Sequence, residues 1–258
     1  MLCFRCNQPE HDDRTCGITP KLEHPPASTD YMQETPSKNS LVAKSGFSAE
    51  DLICKSREAT QALVNYFGKP IKEIQKIGGR KKADNLIVFE DGTSVRFQLK
   101  NGTGGGRGWS FDRRNVDDLP TMNDAIKCLA KAVCLKNGER CVAANDKQMI
   151  TTLLLGTDAS SAPQFVVHTH VVDEKIVELS ICTAEAFVEA VLKDAYEFCM
   201  AKRTCVHLTP LIYFQRKAGG SADKRPDDIQ CKLKKMPDCI TKLPLTQTTS
   251  APQEQTPE

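Results

Sequence analysis

The sequence lacks the marks of several protein classes. No apolar leader stands near its N-terminus, and no apolar run is long enough to span a bilayer. This predicts an intracellular protein, cytoplasmic or nuclear and not secreted, so the "NGT" at Asn101 is not read as a glycosylation acceptor. There is little excess charge either. The formal net charge is +2 over 258 residues, so a polyanionic partner has to be met by a local patch rather than by a global field. The chain has one tryptophan and no internal repeat. Its glycine-rich stretch is not followed by Gly-Lys-Ser/Thr, which excludes a Walker loop. The remaining composition, 40% hydrophobic and 26% charged, is that of an ordinary globular protein.

Cysteine, by contrast, is plentiful, with twelve in the chain. Three of them stand with a histidine near the start, in the spacing Cys3-x2-Cys6-x4-His11-x4-Cys16. Two thiolates two residues apart, followed by a histidine and a third cysteine, can close one tetrahedral Zn²⁺ site without a hydrophobic core. The stretch resembles the retroviral-type zinc knuckle at all four ligand positions, with Asn7 and Glu10 where that family has glycines. Phe4 and Arg5 could stack on an unpaired base, while Glu10, Asp12 and Asp13 make the module acidic. Nucleic-acid contact and protein contact both remain open for it. The other nine cysteines are scattered in apolar patterns and are expected to be free thiols, mostly buried.

Composition divides the chain into four parts: the knuckle at 1–16, a Pro/Ser/Thr-rich linker at 17–46, one folded domain at 47–235, and a disordered tail at 236–258. Within the domain, Ser48 is placed to cap a helix that runs to Gly68. "DNLIVFEDGTSVRFQLK" reads as a hairpin about Glu90-Asp91-Gly92. Residues 121–135 read as a helix, and "QFVVHTHVV" with "KIVELSIC" as a second hairpin. Thr183 caps a helix expected to reach about Arg203, and "CVHLTPLIYFQRK" and "IQCKLK" are strands. That order predicts a mixed α/β, or α+β, fold.

Strand alternation places Gln98 and Lys100 on one polar face of the first hairpin. With a three-residue loop, Asp84 falls opposite Gln98; with a two-residue Asp-Gly loop it faces away. Asp84, a hairpin and then Gln98-Leu99-Lys100, preceded by the basic "RKK", resemble the PD-(D/E)xK core of restriction-endonuclease-like enzymes. The resemblance implies a central mixed sheet flanked by helices. It also implies a Mg²⁺ held by Asp84 and Gln98, with Lys100 as electrostatic catalyst. In that family the residue at Gln98 is acidic. An upstream-helix carboxylate often joins the metal, and Glu58 fits that role, with Glu73 as second choice.

Two basic stretches add to this reading. "NGTGGGRGWSFDRR" offers Arg107, Trp109, Arg113 and Arg114 to a phosphate or a base edge. "YFQRKAGGSADKRPDDIQCKLK" offers Gln215, Arg216, Lys217, Gln230, Lys232 and Lys234. It resembles the late DNA-contacting segment of some restriction-like nucleases. The bland alternative, a solvated cationic strand face, stays open for any one of these lysines, as does a half-buried strand role for His168 and His170. The function expected is Mg²⁺-dependent hydrolysis of DNA phosphodiesters. DNA is the first choice of partner, RNA the second, and a homodimer is allowed. The alternatives are a catalytically inactive binding module of the same fold and a knuckle-based protein-interaction factor.

Overall fold

A computed structural model of the chain describes residues 49–78, 81–102, 109–139, 141–216 and 226–245. The cysteine–histidine stretch with Cys3, Cys6, His11 and Cys16, the linker, Arg107 and Lys217 lie outside the described residues.

In chain order the elements are helical residues 49–55 (α1), α2 (Arg57–Phe67), β1 (Ile71–Lys76), β2 (Asn85–Phe89), β3 (Ser94–Asn101) and β4 (Ser110–Asn115). Next come a 3-10 turn (Val116–Asp118), α3 (Asp124–Cys134), β5 (Cys141–Ala144), α4 (Lys147–Leu155), β6 (Phe165–Val172), β7 (Lys175–Thr183) and α5 (Ala184–Leu192). The chain continues with β8 (Phe198–Lys202), β9 (Cys205–His207), β10 (Ile212–Arg216), β11 (Asp228–Leu233) and β12 (Thr241–Leu243). The fold is mixed α+β. It has two six-stranded sheets, of order β1-β2-β3-β6-β7-β12 and β4-β11-β10-β9-β8-β5. The first is mixed, because β3 and β6 run parallel while its other pairs are antiparallel; the second is antiparallel throughout. One central sheet was expected from sequence; the second sheet is additional.

The first sheet is covered on both faces. Phe97, Leu99, Ile87, Val167 and Ile181 point to the face where Ile53, Ala59 and Leu63 of α1 and α2 pack. Val166 and Cys182 point to the opposite face, into a core shared with α3, α4, α5 and the second sheet. Gln98 pairs with Val166 across β3 and β6, and Lys100 with His168, so Gln98 and Lys100 belong to this second face.

Three boundaries differ from the sequence reading. The first helix is broken at Ser56, whose hydroxyl caps α2 by accepting from the Ala59 N–H at 3.1 Å. The helix after Thr183 stops at Leu192, because Lys193 is extended and Asp194 takes φ 53°; residues 198–202 are then strand β8. The folded chain also runs past 235, since Thr241–Leu243 pairs with β7 at the sheet edge. Of the nine cysteines outside the knuckle, Cys134, Cys182, Cys199 and Cys231 are buried and Cys128 is exposed.

Candidate active site: an Asp–Gln–Lys cleft

The hairpin of β2 and β3 sets the site. Val88 pairs with Ser94, and the Phe89 N–H donates to Thr93 O at 2.9 Å, leaving Glu90, Asp91 and Gly92 as the loop. Gly92 takes φ 79°, the left-handed residue that a three-residue hairpin loop requires. In this register Asn85 pairs with Phe97, so Asp84 falls opposite Gln98. The Asp84 N–H donates to Phe97 O at 3.0 Å. Its carboxylate Oδ2 accepts from the Leu99 N–H at 2.8 Å, taking the place of a backbone acceptor just where the ladder ends. That bond holds the carboxylate between Gln98 and Lys100.

The three side chains share a cleft of about 580 Å³ with Lys81, Lys82, Asp112, Arg113, Arg114 and residues of the turn after α4. Burial pushes the Asp84 carboxyl above its ordinary range, against the pull of the Lys100 ammonium and the Leu99 hydrogen bond. Burial likewise lowers Lys100 to about 8, while the Asp84 charge works to raise it. The Lys100 ammonium donates to Ser110 O at 3.0 Å and lies 4.8 Å from the centre of the Phe111 ring. Gln98 is buried, and its amide Oε1 has no hydrogen-bond partner among the described residues. A buried oxygen without a partner is costly and rare. Together with the Asp84 carboxylate it forms a pair of hard oxygen donors that suits Mg²⁺ in chemistry, though with one negative charge between them.

The far wall is built on Lys82. Its ammonium donates to Phe111 O at 2.6 Å, to Leu153 O at 2.6 Å and to Asp112 Oδ2 at 2.7 Å, tying the segment before β2 to β4 and α4. Gly156 lets it pass: φ is 88°, and a Cβ there would lie 2.9 Å from Lys82 Cγ. Arg114 grips Asp112 with two bonds of 2.7 Å. Burial alone would raise Asp112, but the Arg114 bonds and the Lys82 charge hold it below its ordinary range. Lys82→Met is expected to destabilise the protein by roughly 2–4 kcal/mol, since it strands two carbonyls and half of an ion network. Urea unfolding measures this, and a loss under 1 kcal/mol would contradict it.

Several sequence-predicted site residues are not brought to the cleft. Glu58 accepts from Ser56 Oγ at 3.1 Å and lines a separate groove with Lys175. It lies on α2, which packs on the sheet face opposite Gln98 and Lys100, so it cannot supply the missing charge. Glu73 is exposed on β1, away from the cleft. Glu50 on α1 makes only a minor charge contribution at Asp84 and Lys100; it does not line the cleft, and Lys76 holds it at 3.0 Å. Trp109 is not an exposed stacking platform. It is buried in the core against Phe111 and His168, at centroid distances of 6.4 and 5.0 Å. His168 is likewise buried, 3.0 Å from Gly102 O. Arg113 does line the cleft, but its guanidinium is held by the buried Asp228 at 2.9 Å. Gln215, Gln230, Lys232 and Lys234 line the second sheet rather than the cleft, and the Arg216 Nε is buried.

No family model matches the chain, and no curated protein is similar to it. Among solved structures, it is similar to restriction endonuclease MspI in complex with its cognate DNA, with a TM-score of 0.40 and 12% identity over 71% of this chain and 82% of that one. The likeness is loose in outline.

Proposed function

We propose that the cleft binds a nucleic-acid phosphate and hydrolyses the phosphodiester with Mg²⁺, DNA being the favoured substrate. The observation that carries this reading is the convergence of Asp84, Gln98 and Lys100 at the end of one hairpin, on the wall of a cleft that also carries Lys81 and Arg114. Asp84 and Gln98 would hold the Mg²⁺. When bound, the metal supplies Lewis-acid polarisation of a phosphate oxygen and a more acidic water. Lys100 stands as an ammonium at neutral pH, free of any ion pair among the described residues, and stabilises the charge that develops on the phosphoryl oxygens. Lys81 is exposed and steers the adjoining phosphate, while Lys82 and Arg114 are committed to Asp112 and shape the wall.

The test is to incubate the full chain with single- and double-stranded DNA and RNA in Mg²⁺, in Mn²⁺ and in chelator. Metal-dependent cleavage of DNA is expected; no cleavage of any substrate in either metal would sink the hydrolytic reading. A second reading, the same cleft holding nucleic acid without cutting it, is favoured by one observation: the second metal position is a neutral amide.

For the N-terminal stretch we propose one Zn²⁺ on Cys3, Cys6, His11 and Cys16, a set whose short connections need no other core. Metal analysis of the reduced full chain should give one zinc per molecule, and the double variant Cys3→Ser/Cys6→Ser should give none. Less than stoichiometric zinc in the natural chain contradicts the site.

A further inference from the structure

The second sheet has one covered face and one open face. Val206, Phe214, Ile229, Cys231 and Leu233 point into the core with α3. Their neighbours point out, and the registers join those neighbours into rows. Lys232 pairs with Tyr213, Tyr213 with His207, His207 with Met200, and Met200 with Val142, a continuous row across five strands. Four inter-strand steps span roughly 19 Å. The rings of His207 and Tyr213 stand 6.5 Å apart at 29° to one another, nearly parallel. Met200 and Val142 are 53% and 55% exposed, and Phe198, two residues before Met200 and on the same face, is 51% exposed. A monomeric domain rarely leaves three large apolar side chains uncovered together.

Cations surround these rings. Lys232 stands directly opposite Tyr213, and Lys202 is the next outward position on β8 after Met200, the partner of His207; burial, then Lys234 and then Lys202, lower the His207 imidazole. Lys202, Lys232 and Lys234 have no ion-pair partner among the described residues. A single carboxylate, Asp228, stands among the outward strand positions, and Arg113 neutralises it. Gln215 and Gln230 pair across β10 and β11 in the next row and bring amide donors and acceptors. Flat rings flanked by unpaired cations, with amides beside them, match the chemistry of unstacked bases on a phosphate backbone. They do not match a duplex, whose bases show no free faces.

We infer that the open face of the second sheet is a platform for single-stranded nucleic acid, with bases stacked on Tyr213, His207 and Met200 and phosphates on Lys202, Lys232 and Lys234. The inference takes its partner class from the proposed function of the cleft but stands on a separate surface, where a strand can be held without being cut.

Binding of the full chain to labelled single-stranded DNA, single-stranded RNA and duplex DNA, followed by fluorescence anisotropy in chelator, separates the two sites. Tyr213→Ala is expected to weaken single-strand binding about tenfold, the usual loss of one stacked base. Lys202→Gln/Lys232→Gln, which leaves the half-buried ring in place, is expected to weaken it too and to reduce the salt slope by roughly 1.4. Both variants should keep the natural chain's Mg²⁺-dependent cleavage of duplex DNA, and Lys100→Ala should keep its single-strand affinity to within a few-fold. Single-strand affinity unchanged in both sheet variants would overturn the platform and leave the cleft reading standing. So would single-strand affinity lost in Lys100→Ala alone, or sedimentation showing that the exposed apolar row is buried between two copies of the chain.

Discussion

Lys100→Ala is expected to lower Mg²⁺-dependent cleavage about 100- to 1000-fold, the cost of removing one preorganised charge from a developing oxyanion. DNA affinity should change only a few-fold, because one lysine is a small part of the cationic surface. The same residue sets the pH dependence. Burial holds its ammonium at about 8, below the ordinary 10.5. In the metal-free chain the cation is therefore present below about pH 8 and lost above it, and a Mg²⁺ held beside it would lower that value further, so the cleavage rate should fall as pH rises toward and through it. Lys100→Arg, which cannot lose its proton in this range, should show no such fall. Stability moves the other way. Between about pH 8 and 10.5 the folded chain has released this proton while the unfolded chain still binds it, so folding gains as pH rises across that window. Lys100→Met should remove that gain. A cleavage profile that climbs through pH 8 would instead make the neutral amine a base.

Gln98→Glu is the second large effect. A carboxylate in place of the amide adds a full negative charge beside Asp84, and hard divalent cations respond strongly to ligand charge. The Mg²⁺ concentration for half-maximal cleavage should fall on the order of tenfold or more, with a matching rise in rate at low Mg²⁺. This outcome means that a natural amide damps a hydrolytic site. Unchanged inactivity with DNA binding intact favours the binding-only reading. The substitution places a charge where the buried amide oxygen has no partner among the described residues, so the fold loses no hydrogen bond described at that oxygen.

The first hairpin was legible because two local signals agreed. Alternation put Gln98 and Lys100 on one face, and Asp91-Gly92 with Glu90 set a loop whose length fixed Asp84 opposite Gln98. The place of the helix carboxylates was not legible. Glu58 and Glu50 both sit near helix starts. α1 and α2 both pack on the Phe97–Leu99 face of the sheet, opposite Gln98 and Lys100, which keeps Glu58 out of the cleft, and that is a tertiary fact. Trp109 read as exposed because glycines and arginines surround it, yet it lies on the core side of β4 with Phe111. Strand β8 was hidden in a helical pattern until Asp194 turned the chain. The second sheet was hidden for a different reason. Its β4 pairs with β11 more than a hundred residues later, as Arg113 does with Gln230, and no local pattern announces such a partner.

The central claim is that the end of the β2–β3 hairpin is the hydrolytic site. Its most direct test compares Mg²⁺-dependent cleavage of DNA by the natural chain and by the double variant Asp84→Ala/Lys100→Ala, with DNA binding measured in parallel. The account predicts cleavage by the natural chain and none by the variant, which still folds and still binds DNA. Cleavage that survives in the double variant would place the chemistry on other residues and contradict the account.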